Sequence, residues 1–285
     1  MRNLRKLATL FLILLLVAIP LDVVVGEAPS AEDIFLGKHS VYYQIFVRAF
    51  ADGDGDGLGD LRGIIDRLDY LSDLGVSGIW LTPIHPSPTY HKYDVIDYYA
   101  IDSEIGTLEQ FKELITKAHD RGIRVIMDLV LHHTSRLHPW FLEAALDLQS
   151  PYRDYYIWAD VDTNLGAPGP WAQRVWHPHA TGHYHGLFWD GMPDLNFDNP
   201  KVREEARAIA EFWLDLGVDG FRLDAAMHMY AHAEKDRALD WWVEFRDHLR
   251  QIKPDAYLVA EVWDNSTVVA PYYEGFDSAF NFDLA

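Results

Sequence analysis

From about Lys38 the chain alternates between short β-rich runs and longer segments whose apolar residues recur at helical spacing. Val41–Val47 reads as a strand. Gly63–Leu74 follows, with Ile64, Ile65, Leu68, Leu71 and Leu74 on one helical stripe. Gly78–Leu81 is a second strand, ended by Thr82-Pro83. Thr107 stands where it can cap a helix whose apolar face holds Leu108, Phe111, Leu114 and Ile115 and which stops at Gly122. Ile123–Val130 is a third strand. Further on, Asn199-Pro200 opens a helix to about Leu216, and Asp219–Leu223 is a fourth strand. Leu239–Ile252 is helical, Tyr257–Val262 is a fifth strand, and Ser278–Phe282 begins a sixth.

The rhythm breaks between His132 and about Asn196, a stretch rich in Pro, Gly, His and Trp with no long periodic segment. An unstructured loop of that length is unusual inside a barrel, so residues 132–196 are read as a small inserted domain after the third strand. Alternating strands and helices make this an α/β protein with a parallel sheet, either open or closed into a barrel. A (β/α)8 TIM barrel takes about 250 residues without insertions. The 285 residues leave room for only five or six strands once leader and insertion are set aside. The barrel reading therefore makes the chain truncated after about the fifth or sixth strand, with 38–131 as its first part and 197–285 as its continuation.

Arg2, Arg5 and Lys6 precede an apolar run from Leu7 to Leu21, broken by Thr9 and Pro20, with Gly26 and Ala28 beyond. This is the layout of a secretory signal peptide over residues 1–28, and it predicts an extracellular or periplasmic protein. The run is short for a spanning helix, so membrane attachment is expected only if the segment stays uncut. Cysteine is absent, which excludes disulfides, thiolate-held zinc and a lipid-modified amino-terminal cysteine. A formal charge of −20 argues against nucleic-acid partners and leaves neutral ligands such as glycans open. Ten Trp and fifteen Tyr suit either a large core or faces that hold sugar rings.

Asp128, Asp224 and Glu261 stand at the carboxyl ends of three predicted strands, where active sites form in parallel barrels. In Gly220-Phe221-Arg222-Leu223-Asp224 the strand alternation puts Arg222 and Asp224 on one face. A guanidinium beside a carboxylate keeps it ionised, as a glycosidic nucleophile requires. Glu261 follows the apolar strand Tyr257–Ala260, where burial raises a carboxyl pKa toward that of a working acid. Oppositely tuned carboxyls about 5–5.5 Å apart are the pattern for retaining glycoside hydrolysis.

Several ordered segments resemble the α-amylase family of glycoside hydrolases. Gly75–Pro83 (GVSGIWLTP), Asp128–Ser135 (DLVLHHTS), Gly220–His228 (GFRLDAAMH) and Glu261–Asp264 (EVWD) are similar to the family's second-, third-, fourth- and fifth-strand motifs. Met192–Asn196 (MPDLN) resembles the motif near the end of its inserted domain. The resemblance implies Asp224 as nucleophile, Glu261 as acid/base and Arg222 as the residue orienting Asp224. It implies that His133 hydrogen-bonds the sugar at the cleavage point, and that Tyr93 and Asp94, within Tyr90–Tyr99 (YHKYDVIDYY), supply a tyrosine platform and a sugar-binding acid. Asp128 becomes a support, and His228 a contact on the leaving side. The family usually has Asn at the position of His132, where it often helps bind a calcium, so that calcium is not expected here. Many starch-cleaving members have Lys in place of Met227, and the family's third catalytic acid has no counterpart in this chain.

Asp52, Asp54, Asp56 and Asp60 alternate with glycines, a pattern that lets carboxylates wrap a hard cation. Position twelve of an EF-hand would be Glu and here is Gly63, so a complete EF-hand fails. Relatives of the family carry a similar loop with a carbonyl ligand at the Leu58 position, and Ca²⁺ is the expected ion. His177, His179, His183 and His185 need no metal, and Trp171, Trp176 and Trp189 are either core or sugar platforms, with core the preferred reading. The expected reaction is retaining hydrolysis of α-1,4 and also α-1,6 bonds in starch-like glucans and maltooligosaccharides. The alternatives are a transglycosylase of the same family and a non-catalytic, membrane-anchored relative. The truncated chain alone is expected to be inactive.

Overall fold

A computed structural model describes residues 41–230 and 234–284. The leader assigned to 1–28 lies outside them. Six parallel strands form one sheet: β1 (Tyr42–Ile45), β2 (Gly78–Leu81), β3 (Arg124–Leu129), β6 (Gly220–Leu223), β7 (Tyr257–Ala260) and β8 (Ser278–Ala279), neighbours in that order. β4 (Trp176–His179) and β5 (Gly182–His185) make a separate antiparallel hairpin. β1 and β7 are not neighbours in the sheet, yet Tyr42 and Tyr257 stack with ring centroids 5.1 Å apart. Trp80 of β2 meets Phe280, just past β8, at 5.4 Å. Contacts across the concave face between such distant strands require strong curvature. The sheet is a half-barrel, consistent with a truncated TIM barrel.

Helices cover the convex side, and their ends follow from their caps. Asp60 accepts the Gly63 N–H at the start of α1 (Leu61–Asp66). The single helix expected over Gly63–Leu74 is instead two, because Arg67 leaves helical geometry (φ −107°, ψ 5°) before α2 (Leu68–Asp73). Leu61, Ile64, Leu68 and Leu71 are all fully buried, so the apolar stripe runs across the break and hides it from a periodicity reading. Thr107 and Gln110 form a reciprocal capping box on α3 (Leu108–His119). Asn199 caps α5 (Pro200–Asp215), whose proline sits in the first turn where no N–H is needed. The helix before β7, α6, runs Lys235–Ile252.

Residues 132–196 contain structure that the sequence reading missed: α4 (Pro139–Leu146) and the β4–β5 hairpin. Phe141, Tyr156, Tyr184 and Leu195 of this stretch belong to the same continuous core as the strand residues Ile79, Val125 and Phe221. Among the described residues no helix is long and apolar enough to cross a membrane.

Trp213 of α5 ties several layers together. It is fully buried, donates to the Tyr98 carbonyl at 2.8 Å, and packs on Phe111 of α3 at 5.2 Å. Trp213→Ala is expected to remove about 3–5 kcal/mol of stability. Urea unfolding checks this, and a loss below about 1 kcal/mol would show that the barrel does not depend on this contact.

Candidate active site

Arg222 is the middle of the site. Its strand, β6, lies between β3 and β7, so its side chain faces the acids at the ends of both neighbours. Arg222 Nη1 binds Asp128 Oδ1 at 2.6 Å and Asp224 Oδ1 at 2.7 Å, while Nη2 binds Glu261 Oε1 at 2.7 Å. All three predicted strand-end acids thus converge on one guanidinium. The sequence pairs this arginine with Asp224 alone; the structure adds Asp128 and Glu261. Burial disfavours the charge on Arg222, but Asp128 and Asp224 outweigh that and drive its pKa upward.

Each acid has a distinct environment. Asp128 is fully buried and also accepts from Trp80 Nε1 at 3.2 Å and Tyr93 Oη at 3.1 Å. Burial pushes its carboxyl up to about 7 against the pull of Arg222. Burial also raises Glu261, with Asp224 adding repulsion and Arg222 opposing. Glu261 is more open than its partners, and its Oε2 accepts the Ala225 N–H at 3.0 Å. That N–H is aimed by an unusual backbone: Ala225, directly after Asp224, sits in the left-handed region (φ 50°, ψ 35°). A non-glycine residue there costs about 1–3 kcal/mol and persists only where its surroundings hold it, as at active sites.

A cavity of about 630 Å³ opens above this cluster, lined among others by Tyr93, His133, Arg222, Asp224, His228 and Glu261. Six of the seven catalytic and sugar-contact residues expected from the sequence are therefore brought together. Asp94 is not. It is buried, with Ser87 Oγ donating to its Oδ1 at 2.6 Å and Thr89 Oγ1 closer still, which braces the loop, while its Oδ2 has no hydrogen-bond partner among the described residues. The neighbouring His91 lines the cavity in its place. Its Nδ1 accepts the Tyr93 N–H at 3.1 Å, and the loop is anchored by Lys92, buried against Asp102 at 2.7 Å. Only the alternation of inward and outward residues in 90–99 could have told His91 from Asp94, and a loop does not keep that alternation.

The tryptophans also depart from expectation. Trp171 is 57% exposed and Trp189 42%, so neither is core; both line the cavity, with Phe188 and Trp263. His133 Nε2 lies 3.1 Å from the Tyr93 carbonyl, which can only accept, so that nitrogen carries the proton. Its Nδ1 lies 3.1 Å from His132 Nδ1, which must then be the donor of that pair. Asp194 holds this corner from the other side, with His185 Nδ1 at 2.6 Å, the Leu187 N–H at 3.1 Å from both oxygens, and His132 Nδ1 at 3.6 Å. Burial works against the Asp194 carboxylate, but His132, His185 and His133 outweigh it and hold its pKa below the ordinary value.

Away from the cavity, oxygens of Asp52, Asp54 and Asp60 lie within 4.8 Å of one another. Gly55 and Gly57 turn the loop with φ of 87° and 93°, which other residues rarely adopt. Their N–H groups hold the Asp52 carboxylate at 2.6 and 2.8 Å and lower its pKa. Three converging carboxylates suit a hard cation. Asp56 is not part of this group; its carboxylate accepts the Leu58 N–H at 2.7 Å. The four histidines of 177–185 do not converge: His177 is buried against the Gly186 carbonyl and His185 is taken by Asp194.

Paired carboxyls and an aromatic-walled cavity thus stand at the strand ends of a parallel half-barrel. Residues 44–285 match the family described as alpha amylase, catalytic domain. Alpha-amylase 3 of Dictyoglomus thermophilum is 53% identical over 248 residues, 87% of this chain and 48% of that protein. A 4-alpha-glucanotransferase of Thermotoga maritima is 42% identical over 245 residues, 85% of this chain and 54% of that protein. The crystal structure of the alpha-amylase from H. orenii superposes with a TM-score of 0.82 at 55% identity, covering 87% of this chain and 52% of that one. The chain belongs to the α-amylase family of glycoside hydrolases. It spans about half the length of the relatives it matches.

His132 is fully buried, and burial lowers its pKa to about 4. The unfolded chain takes up that proton near pH 6.5 and the folded chain only near 4, so this contribution to stability is complete above 6.5 and drains away as pH falls toward 4. His132→Asn is expected to reduce the loss of stability between pH 7 and pH 5 by on the order of 2 kcal/mol. Chemical denaturation at the two pH values measures this; equal losses in both proteins would show that His132 does not stay neutral.

Proposed function

We propose that the chain carries the catalytic carboxyls of a retaining enzyme acting on α-glucosidic bonds of starch-like glucans and maltooligosaccharides. One observation carries this reading: Asp224 and Glu261 are bound to adjacent nitrogens of the same guanidinium and face the same cavity. That closeness supports a retaining pair at about 5–5.5 Å over the wider inverting spacing of about 6.5–9.5 Å. Asp224, paired with Arg222, attacks the anomeric carbon while Glu261 gives its proton to the departing glycosidic oxygen. Glu261 then takes a proton from the incoming hydroxyl, which displaces Asp224 and restores both groups. Water as that hydroxyl gives hydrolysis; a sugar gives transfer. Both outcomes have relatives, in the alpha-amylase of Dictyoglomus and the glucanotransferase of Thermotoga.

Tyr93 serves as the platform under the reacting ring, His133 as a contact to it, and His228 as a contact on the leaving side. Residues 132–196 act as a small inserted domain that walls the cleft. The amino-terminal segment directs export. In a polypeptide completing the eight-stranded barrel, Asp224→Asn and Glu261→Gln are each expected to lower kcat on maltooligosaccharides at least about 10³-fold, with the chain still folded. Azide rescue of Glu261→Ala on an activated glucoside, giving a glycosyl azide of retained anomeric configuration, would support the pair. Activity within about tenfold of the parent in Asp224→Asn would overturn it.

Ca²⁺ is the ion proposed for Asp52, Asp54 and Asp60, with the Leu58 carbonyl completing the set. Millimolar Ca²⁺ is expected to raise the melting temperature of the parent and to leave Asp52→Asn/Asp54→Asn unmoved. An equal shift in both proteins would show that the loop does not hold the ion.

A further inference from the structure

A second groove, of about 650 Å³, lies between α4 and the β4–β5 hairpin. Phe188 and Trp189 line both this groove and the catalytic cavity, so the two hollows meet at these rings. Trp189 is the more open of the two, and its placement is built in. A methyl group at residue 191 would come within 2.2–2.6 Å of three carbons of its indole, so the ring rests on the bare backbone of Gly191. The loop beneath is pinned on three sides: the Arg136 N–H donates to the Gly191 carbonyl at 2.9 Å, the Met192 N–H to the Trp189 carbonyl at 3.1 Å, and Tyr184 Oη to the Asp190 carbonyl at 2.6 Å. An aromatic ring fixed in advance and left open loses little freedom when something stacks on it.

The groove beyond Trp189 has a mixed character. Phe141 and Leu142 give it an apolar wall, and Arg136 pairs with Asp190 at 3.3 Å along its edge. Arg174, whose Nε donates to the Trp176 carbonyl at 2.8 Å, and His179 add further polar groups to the lining. Flat apolar surface edged by hydrogen-bond donors matches a pyranose ring, which has apolar faces and a rim of hydroxyls.

We infer that Trp189 is a binding platform for the distal glucosyl units of a long α-glucan, carrying the chain from the catalytic cavity into the groove along α4. The inference rests on the α-glucan reading above and adds a preference for long over short substrates. It assigns to Trp189 a specificity role, not a chemical one.

Isothermal titration of the polypeptide completing the eight-stranded barrel with maltotriose and maltoheptaose tests it. The wild-type protein is expected to bind maltoheptaose more tightly than maltotriose. Trp189→Ala and Gly191→Ala should each cut that advantage by roughly fivefold to tenfold, the first by removing the ring and the second by pushing it off its seat, while Trp189→Phe keeps most of it. Retention of the wild-type ratio by Trp189→Ala overturns the inference. So does equal loss in Trp189→Ala and Trp189→Phe, which would mark a loosened loop instead of a lost stacking face. If the wild type binds both sugars equally, Trp189 has no such role while the glucan reading stands. If it binds neither, the glucan reading fails and this inference with it.

Discussion

A single buried guanidinium shared by three carboxyls sets the terms for the rest of the molecule. Removing an ion from water costs several kcal/mol after relaxation, and Arg222 is almost fully enclosed. Its contacts with Asp128, Asp224 and Glu261 offset that cost, and each acid gains a cation in exchange. The balance is lopsided, since one positive charge cannot neutralise three negative ones in a low-dielectric site. Burial, with the added repulsion of Asp224, shifts both Asp128 and Glu261 upward against the pull of Arg222. Asp128 is sealed off by Tyr93 and Trp80, whereas Glu261 keeps access to the cavity. The same upward pull therefore acts on one carboxyl enclosed in the floor and on one open to a ligand.

The cluster forms only because the sheet is parallel and curved. In parallel pairing, the carboxyl ends of β3, β6 and β7 lie side by side, with Asp128 opposite Arg222 and Arg222 opposite Val259 in register. Curvature then turns these ends toward a common axis. The same curvature brings Tyr42 onto Tyr257 and Trp80 beside Phe280, and the Trp80 indole that fills the hollow also donates to Asp128. Core packing and site electrostatics thus share a side chain, and a change that flattened the sheet would scatter the acids.

The strands and the acids were legible in the sequence because both follow short-range rules. A four-residue strand such as Gly78–Leu81 announces itself by its apolar run and the Thr-Pro that ends it, and the strand-end position of Asp224 follows from counting. What was not legible depends on contacts distant in sequence. Arg67 interrupts a helix without interrupting its apolar stripe. The two turns of Pro139–Leu146 are too short to establish a period. Asp94 and His91 differ in role because Ser87 and Thr89 bend back to claim the former, which no local pattern encodes. Trp171 and Trp189 look like core residues by type, yet they stand open where the loop segment faces the barrel. The resemblance to the α-amylase family supplied the roles that spacing alone left undecided.

The segment 132–196 gives the cleft its second wall through Asp194. Backbone bonds join Leu195 N–H to the His132 carbonyl and Asp194 N–H to the His185 carbonyl, so the end of β3 and the β5 strand are stitched to the same short run. The Asp194 side chain adds His185 and the Leu187 N–H, with His132 close by. The family usually has an Asn at residue 132, and here an imidazole stands beside a buried carboxylate instead. Because His132 Nδ1 also faces His133, the junction that holds the segment in place touches the imidazole whose Nε2 donates to the Tyr93 carbonyl. The wall of the cleft and the hydrogen-bonding state of a residue inside it are therefore set by one network, which couples the seating of the segment to the site it encloses.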